Sequence, residues 1–390
     1  MVKDIAIAFS FPMFTPETSK LFTRSRNPRS GIESLILTER QAPVQQTFYY
    51  TSPSATEDGR FLWLGCGYPP PGGKHSTQVL AVVDFERDEM RVYPETQFPS
   101  SRPLLDTTSG EVYWCNELDV WKRGPHAGDK AVRVNTFPKE LAKGKIHRLA
   151  THPTFSADRQ SINIDALFIQ ADGSLVCYLG EMPLDGSPFR LWQRYENRHY
   201  DHAMFSPVEP DVQLFAHEFW VDHAHEPFEP LRKYHRMWVI RRGEKARPVL
   251  NEPVSHSGHE WWDPDGKHVY YLHYGVGIKK VNLASGGEIL IWPGRLSHGH
   301  SDVSGHYLVA DLMADPVVCD CHVEFCDTLT GKTVEIVNRP PLAPDLTQCT
   351  HLHPHPQFLP GDRYICHTTT IEDRVDLALV PVEQLIAAVK

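Results

Sequence analysis

The feature that most constrains the fold is a turn that recurs seven times along the 390 residues. Each turn is rich in Asp, Gly or Pro, and a short apolar or aromatic strand such as 61–64 or 269–272 follows most of them. The last residues of these turns, spaced 39 to 57 residues apart, are Gly59, Gly110, Arg159, Glu209, Gly266, Gly305 and Asp362. Such turns join strands into hairpins, and hairpin repeats of about 40–50 residues are typical of propeller blades. The sequence therefore predicts an all-β chain folded as a seven-bladed β-propeller.

The same repeat predicts the domain organisation. A pair of β-sandwiches is the alternative, but it does not require the same hairpin phase seven times. We expect a single propeller domain over residues 1–390, with blades from about residue 50 to 390. Residues 1–50 contain strand-like stretches ahead of the first turn, so we expect this segment to close the ring by completing the last blade.

The composition argues against some classes of binding partner. The formal net charge of −10 argues against a broad surface for nucleic acid or anionic membranes. No apolar run reaches the ~20 residues that a membrane helix needs. The N-terminal residues lack the apolar core and cleavage site of a signal peptide. We expect a cytoplasmic protein, or a periplasmic or secreted one if a leader is removed, that is a monomer or homodimer.

Histidines recur at one phase of the repeat. The residue seven positions before each turn's last residue is Ser52 or Pro103 in the first two repeats. In the last five repeats it is a histidine, namely His152, His202, His259, His298 and His355. Equivalent positions in successive blades form a ring about the channel, so these imidazoles are expected to converge at one mouth.

A purely structural role is the alternative for these histidines, in which each one caps its own blade with a local hydrogen bond. That role should apply evenly to all blades and need not cluster other polar residues. Here His300 lies beside His298, His353 beside His355, and Glu260 beside His259. We therefore favour a functional group of histidines, with a structural role left open for His152.

The stretch 350–356 adds a possible metal motif. His351, His353 and His355 alternate with other residues, so on a strand they would face the same side. Three neutral imidazoles suit manganese, iron, nickel or zinc. The alternative is a solvated strand edge that happens to be rich in histidine.

A long connection precedes a further candidate residue. About twenty residues, 216–235, lie ahead of the strand 236–240, and loops of this length are commonly functional. Its aromatic and basic side chains could form a wall of a cleft. Arg236 opens the strand and is therefore expected to face the axis, whereas Arg232 and Lys233 are expected to be solvated.

Three segments carry a family resemblance. Residues 258–266 (GHEWWDPDG), 236–240 (RMWVI) and 353–356 (HPHP) resemble oligogalacturonate lyases, the family 22 polysaccharide lyases. The order and approximate spacing also match, and His217-Glu218 ahead of the long connection fits. The resemblance is specific between about residues 200 and 365. It implies a seven-bladed propeller that cleaves short galacturonate chains by β-elimination with a manganese-type ion.

The resemblance also implies roles for individual residues. His298, His353 and His355 match metal ligands, and His259 matches the proposed Brønsted base. Arg236 matches an active-site arginine, and His202 matches a histidine near the substrate. The family's glutamine ligand falls at Thr350 here, so the fourth ligand is expected to be Gln348, His351 or water. We expect the ion to be Mn²⁺, with zinc, nickel, iron or calcium as alternatives.

Three classes of function remain open from the sequence. The first is the uronate lyase, acting on a small acidic oligosaccharide of galacturonate or of glucuronate, as in rhamnose-glucuronate or ulvan chains. His152 and Tyr234 join His202 and Arg236 as its candidate substrate-binding residues. The second is another metal propeller enzyme, such as a sugar lactone hydrolase, which would favour carboxylate ligands. The third is a non-catalytic propeller scaffold, which would need no inward cluster of histidines.

Overall fold

The computed structural model describes residues 16–68, 77–98, 101–218, 232–312, 321–339 and 353–390. These ranges contain seven sheets of four or five antiparallel strands, one for each predicted blade. A 3₁₀ turn, Pro16–Thr18, precedes the first strand. The prediction of an all-β, seven-bladed propeller is confirmed.

The first three blades each have four strands, which follow one another from the channel outwards. Blade 1 consists of β3 (Val44–Gln46), β4 (Phe61–Tyr68), β5 (Thr77–Asp84) and β6 (Glu89–Tyr93). Blade 2 consists of β7 (Leu104–Leu105), β8 (Val112–Asn116), β9 (Asp119–Arg123) and β10 (Val132–Thr136). Blade 3 consists of β11 (Lys145–Arg148), β12 (Ser161–Ile169), β13 (Leu175–Pro183) and β14 (Arg190–Glu196).

The next three blades repeat this order. Blade 4 consists of β15 (Tyr200–Phe205), β16 (Val212–His217), β18 (Met237–Arg241) and β19 (Arg247–Pro248). Blade 5 consists of β21 (Ser257–Trp262), β22 (His268–His273), β23 (Gly277–Asn282) and β24 (Glu288–Pro293). Blade 6 consists of β25 (Leu296–Ser301), β26 (Tyr307–Leu312), β27 (Cys321–Asp327) and β28 (Thr333–Arg339). A two-stranded ribbon of β17 (Lys233–Tyr234) and β20 (Val254–Ser255) links blades 4 and 5.

Blade 7 is assembled from both ends of the chain. Its strands are β29 (Gln357–Phe358), β30 (Tyr364–Thr369), β31 (Asp376–Pro381), β2 (Glu33–Leu37) and β1 (Phe22–Arg26). The pairing of β2 with β31 brings Leu35 opposite Leu379. The helix α1 (Val382–Val389) follows β31 and buries Leu385. The part of residues 1–50 that the structure describes thus lies partly in the last blade and partly, as β3, in the first.

The hydrophobic core lies between the blades. Seven buried clusters are found among the described residues, and each joins two neighbouring blades. The cluster between blades 7 and 1 contains Leu35, Leu37 and Leu379 together with Leu62 and Leu64. Middle strands such as β12 are buried on both faces, because each face packs against a neighbouring blade. In the described part of the chain, no helix is both long and apolar enough to span a bilayer.

We expect Leu35→Ala to lower the free energy of unfolding by about 2–5 kcal/mol, because a buried leucine leaves a cavity when it is truncated. Leu35 is 3% exposed and packs at the pairing of the two chain ends. The matched control is Leu329→Ala at a residue that is 79% exposed, which should change stability by less than about 0.5 kcal/mol. Equal denaturation midpoints for the two variants would contradict a ring whose closure depends on this pairing.

Candidate functional site

Irregularities in the innermost strands turn the repeated histidines into the channel. β15, β21 and β25 each shift register against the second strand of their blade. The shifts fall between Asp201 and Met204, between Gly258 and Trp261, and between Leu296 and Gly299. These bulges contain His202, His259 and His298. A bulge changes the direction of side chains that would otherwise point alternately to the two faces of the sheet. In blades 4, 5 and 6 the repeat phase therefore marks a bulge inside the innermost strand, whereas His152 follows β11 and His355 precedes β29.

Three of the phase histidines have left-handed backbones. The φ angles are 50° at His202, 49° at His259 and 45° at His355. This region is uncommon for residues other than glycine, and such strain concentrates at functional sites. The backbone thus favours one orientation of these imidazoles at some cost in conformational energy.

His298, His353 and His355 converge on one point. Each contributes one ring nitrogen to a group of three that lie within 4.8 Å of one another. The ring of His298 is centred 5.0 Å from that of His353 and 4.4 Å from that of His355. His298 comes from blade 6, and the other two come from the segment that enters blade 7. Gln348 and His351, the alternatives for a fourth ligand, lie outside the described residues.

Asp311 on β26 orients the first of these imidazoles. Its carboxylate oxygens lie 2.9 and 3.1 Å from Nδ1 of His298, and the backbone N–H groups of His298 and His355 also donate to it. Nδ1 therefore carries the hydrogen, and Nε2 keeps its lone pair. Burial and the neighbouring His353 lower the pKa of His298, which keeps its ring neutral. A carboxylate behind a neutral imidazole is the usual arrangement around a bound metal, so these residues fit a divalent ion.

His259 lies beside this trio and is oriented through its Nδ1. Its Nδ1 lies 2.6 Å from the carbonyl oxygen of Ser297, which can only accept, so Nδ1 donates and Nε2 keeps a lone pair. The hydroxyl of Tyr274 lies 2.9 Å from the same Nδ1. Burial, with the adjacent His298 and His202, lowers the pKa of His259. The ring is centred 3.9 Å from that of His298.

Arg236 is buried ahead of β18, between two glutamates. Its Nε donates to Glu260 at 3.0 Å, and Nη1 donates to Glu218 at 2.7 Å. Burial raises the pKa of Glu218 to about 7 in spite of Arg236. Burial opposes ionisation of Glu260 as well, but Arg236 and His202 outweigh it and lower the pKa to about 2. The positive charge of Arg236 is therefore largely compensated by residues of this protein.

His202 carries a positive charge of its own. Burial lowers its pKa, but the carboxylates of Asp201 and Glu260 outweigh this effect and raise the pKa to about 9. Its Nδ1 lies 3.1 Å from a Glu260 oxygen. The ring is centred 4.6 Å from that of His152, a buried histidine whose pKa burial lowers. Of these two neighbouring phase histidines, His202 is thus charged and His152 is neutral.

Tyr49 connects the two groups of histidines and was not predicted from the sequence. Its ring stacks on His152 at 4.0 Å, and its centre lies 4.8 Å from that of His355 and 5.8 Å from that of His298. It lies three residues before Ser52, the blade 1 residue at the histidine phase. In the sequence, the only sign of this role was that an aromatic residue stands close to the histidine phase of blade 1.

A cavity of about 500 Å³ opens beside these residues. Its lining includes four of the candidate site residues, namely His152, His202, Arg236 and His259. The trio of His298, His353 and His355 is outside its lining but contacts two lining residues, Tyr49 and His259. The volume falls within the range of about 300–1,000 Å³ that small-molecule sites occupy.

The cavity also differs from the prediction. Tyr234 lies in β17 with its ring centred 6.4 Å from that of His217, and it is not part of the lining. Tyr274, Asp201 and Arg102 line the cavity without having been predicted. Arg232 and Lys233 are exposed, as expected for solvated cations. Most of the long connection lies outside the described residues.

Comparison with known proteins points in one direction. No family model matches the chain. Over 206 residues it is 25% identical to the oligogalacturonate lyase of Dickeya dadantii strain 3937, a match that covers 48% of this chain. The matched part spans about half, 51%, of the length of that relative.

Two solved structures extend the likeness to the whole fold. An oligogalacturonate lyase in complex with manganese superposes with a TM-score of 0.68 at 17% identity, covering 92% of this chain and 96% of its own. The oligogalacturonate lyase of Vibrio parahaemolyticus gives 0.70 at 15% identity, covering 93% and 97%. Identities this low establish the fold alone. Together with the curated relative, they confirm the resemblance that the sequence predicted.

We expect Asp311→Asn to weaken Mn²⁺ binding about 10- to 100-fold, because a ligand imidazole loses the carboxylate that fixes its tautomer. The matched control is Asp327→Asn, which alters a second Asp–His pair of blade 6, 2.9 Å from His306. Calorimetric titration of both variants with Mn²⁺ measures the effect. Equal affinities would show that the trio does not hold the ion.

His202 should make stability depend on pH. Its folded pKa of about 9 is above the ordinary 6.5, so its contribution is complete below about 6.5 and is lost as pH rises through about 9. The difference in unfolding free energy between wild type and His202→Gln should therefore shrink over that interval. Urea denaturation between about pH 6 and pH 10 measures it. A difference that stays constant with pH would mean that the imidazole is neutral in the folded protein.

Proposed function

We propose that this protein, which resembles the oligogalacturonate lyases, is a metal-dependent lyase that cleaves short uronate chains of the oligogalacturonate type by β-elimination. The observation that carries the proposal is the convergence of His298, His353 and His355 within 4.8 Å, beside a separately oriented His259. A non-catalytic scaffold would not need this arrangement. A lactone hydrolase would favour carboxylate ligands over three imidazoles.

β-Elimination poses a definite chemical problem. A base removes the proton on C5 of a uronate, the electrons of that C–H bond form a C4–C5 double bond, and the C4–O4 bond breaks so that O4 leaves with the rest of the chain. The C5 proton is weakly acidic because the adjacent carboxylate is already negative. Negative charge builds up on that carboxylate in the transition state, so positive charge placed there accelerates the reaction.

His259 is suited to be the base. Its Nε2 keeps a lone pair because Nδ1 donates to Ser297, and its lowered pKa keeps the ring neutral near pH 7. It lines the cavity, so a bound sugar can reach it. A positioned imidazole of this kind typically contributes about 100- to 10,000-fold to the rate.

An ion held by the three histidines, together with Arg236, would supply the positive charge. A divalent ion held by the trio, for which we propose Mn²⁺, offers Lewis-acid stabilisation of the charge that forms on the carboxylate. Arg236 lines the cavity, and Glu218 and Glu260 fix its guanidinium. Because that charge is largely compensated, we assign Arg236 to orientation of the substrate as much as to charge stabilisation.

The leaving oxygen needs a proton, and His202 is the best-placed donor. Its raised pKa keeps the imidazole protonated at neutral pH, and it lines the same cavity as His259. Asp201 and Glu260 sustain that charge. A neutral base and a charged acid in one pocket are the two partners that an elimination requires.

Metal-loaded wild-type protein should release unsaturated uronate from oligogalacturonate, seen as new ultraviolet absorbance of the conjugated product. Glucuronate oligomers are tested in parallel, because the two sugars differ only in the configuration at C4. His259→Ala should lower turnover about 100- to 10,000-fold while bound metal stays at the wild-type level.

The matched control is His268→Ala, a partly exposed histidine of the same blade that contacts Asp265. It should leave turnover unchanged. If neither kind of oligomer gives the product with metal present, the lyase proposal is wrong. If His259→Ala loses the metal instead, His259 is a ligand and the base lies elsewhere.

A further inference from the structure

The side of the cavity that lacks phase histidines contains an arginine. Blades 1 and 2 carry Ser52 and Pro103 at the histidine phase, and Arg102 immediately precedes Pro103. Its backbone N–H donates to the carbonyl of Thr151 in the next blade at 3.0 Å. Its guanidinium carbon lies 5.8 Å from the centre of the Tyr49 ring, and its side chain lines the cavity. Backbone and ring together hold the cation at the cavity wall.

Arg102 differs from the other arginines of this cavity in its charge balance. Arg148 lies 3.3 Å from the carboxylate of Asp201, and Arg236 is bound by Glu218 and Glu260. Throughout the described part of the chain, no carboxylate forms an ion pair with Arg102, and its guanidinium donates no side-chain hydrogen bond. Burial lowers the pKa of Arg102, but arginine stays protonated in proteins. A partly buried cation without a counter-charge is costly, so a ligand that supplies the charge would be favoured.

We propose that Arg102 binds a carboxylate of the substrate that belongs to a different sugar residue from the one that reacts at His259. The inference rests on the proposed function. Arg102 precedes blade 2 and His259 lies in blade 5, and both line the cavity together with the stacked pair Tyr49 and His152. The ligand class is therefore a chain with at least two uronates, whose neighbouring carboxylates are both free.

The chemistry of arginine makes this position selective. A guanidinium offers parallel N–H donors that match the two oxygens of a carboxylate, and an ester removes both the charge and the symmetry. Chains whose second carboxylate is methyl-esterified should bind more weakly. Arg102 would thus select de-esterified fragments before any chemistry takes place.

The test uses full-length, metal-loaded protein with trigalacturonate and with each of its singly methyl-esterified forms. R102Q should raise KM for the free trimer about 10- to 100-fold, the usual effect of losing a charge-assisted hydrogen bond. The turnover number should change much less, because the base and metal ligands are untouched. R102K keeps the positive charge but lacks the parallel N–H donors of the guanidinium, so it should give an intermediate KM.

The matched control is R363Q, because Arg363 also lies 5.8 Å from a tyrosine ring, that of Tyr364, but is exposed and outside the cavity. It should behave as wild type. In the wild type one ester position should raise KM as much as R102Q does, and R102Q should no longer distinguish that ester. R102Q should also unfold at the same temperature as wild type or higher, since it removes an uncompensated cation.

Several outcomes would overturn the inference. Equal KM values for R102Q and R363Q would remove it while leaving the lyase proposal intact, and so would a marked fall in the unfolding temperature of R102Q. Wild-type protein that forms no unsaturated product would instead overturn the proposed function. In that case calorimetric titration with trigalacturonate, with and without R102Q in a His259→Ala background, decides the inference alone. Equal affinity, or no binding in either protein, would reject it.

Discussion

The structure depends on how the innermost strand of each blade satisfies its backbone N–H groups. That strand is an edge, so the groups that face the channel have no neighbouring strand to accept them. In blades 3 and 6 a buried carboxylate of the second strand accepts from such groups and bridges to the next blade. Asp165 accepts from the N–H groups of Thr151 and Ala203, and Asp311 accepts from those of His298 and His355. Burial raises the pKa of both carboxyls to about 6, because it disfavours their charged forms.

A buried carboxylate of this kind can join two blades and also orient a side chain of the candidate site. Asp165 bridges blades 3 and 4 through backbone N–H groups, whereas Asp311 bridges blades 6 and 7 and also fixes the tautomer of His298. At the seam between blades 7 and 1 an amide takes over, since Gln357 accepts from the N–H of Ser54. The carboxylate that orients His298 thus also forms a bridge between two blades.

The blades and the shared position of the histidines could be recognised in the sequence because both repeat. A pattern that is weak in one repeat becomes detectable when it recurs in several. It placed His202, His259, His298 and His355 around one mouth, and the structure brings them there. Tyr49, Arg102 and Asp311 were not predictable in this way. Each occurs in one blade only, and at least one of its contacts crosses to a neighbouring blade, as that of Asp311 with the backbone of His355 does, so its role depends on how the blades pack. Arg102 stands next to a phase position, but only the distribution of charge across the cavity separates it from a solvated arginine.

The left-handed backbones of His202, His259 and His355 limit how these positions can change over evolutionary time. Valine, isoleucine and threonine are strained in that conformation, whereas glycine, asparagine and aspartate tolerate it. A descendant that abandons the chemistry is therefore free to lose the imidazoles but not the bend beneath them. Its blades would keep glycine, asparagine or aspartate at these positions, and that pattern would mark descent from a propeller with histidines at this phase.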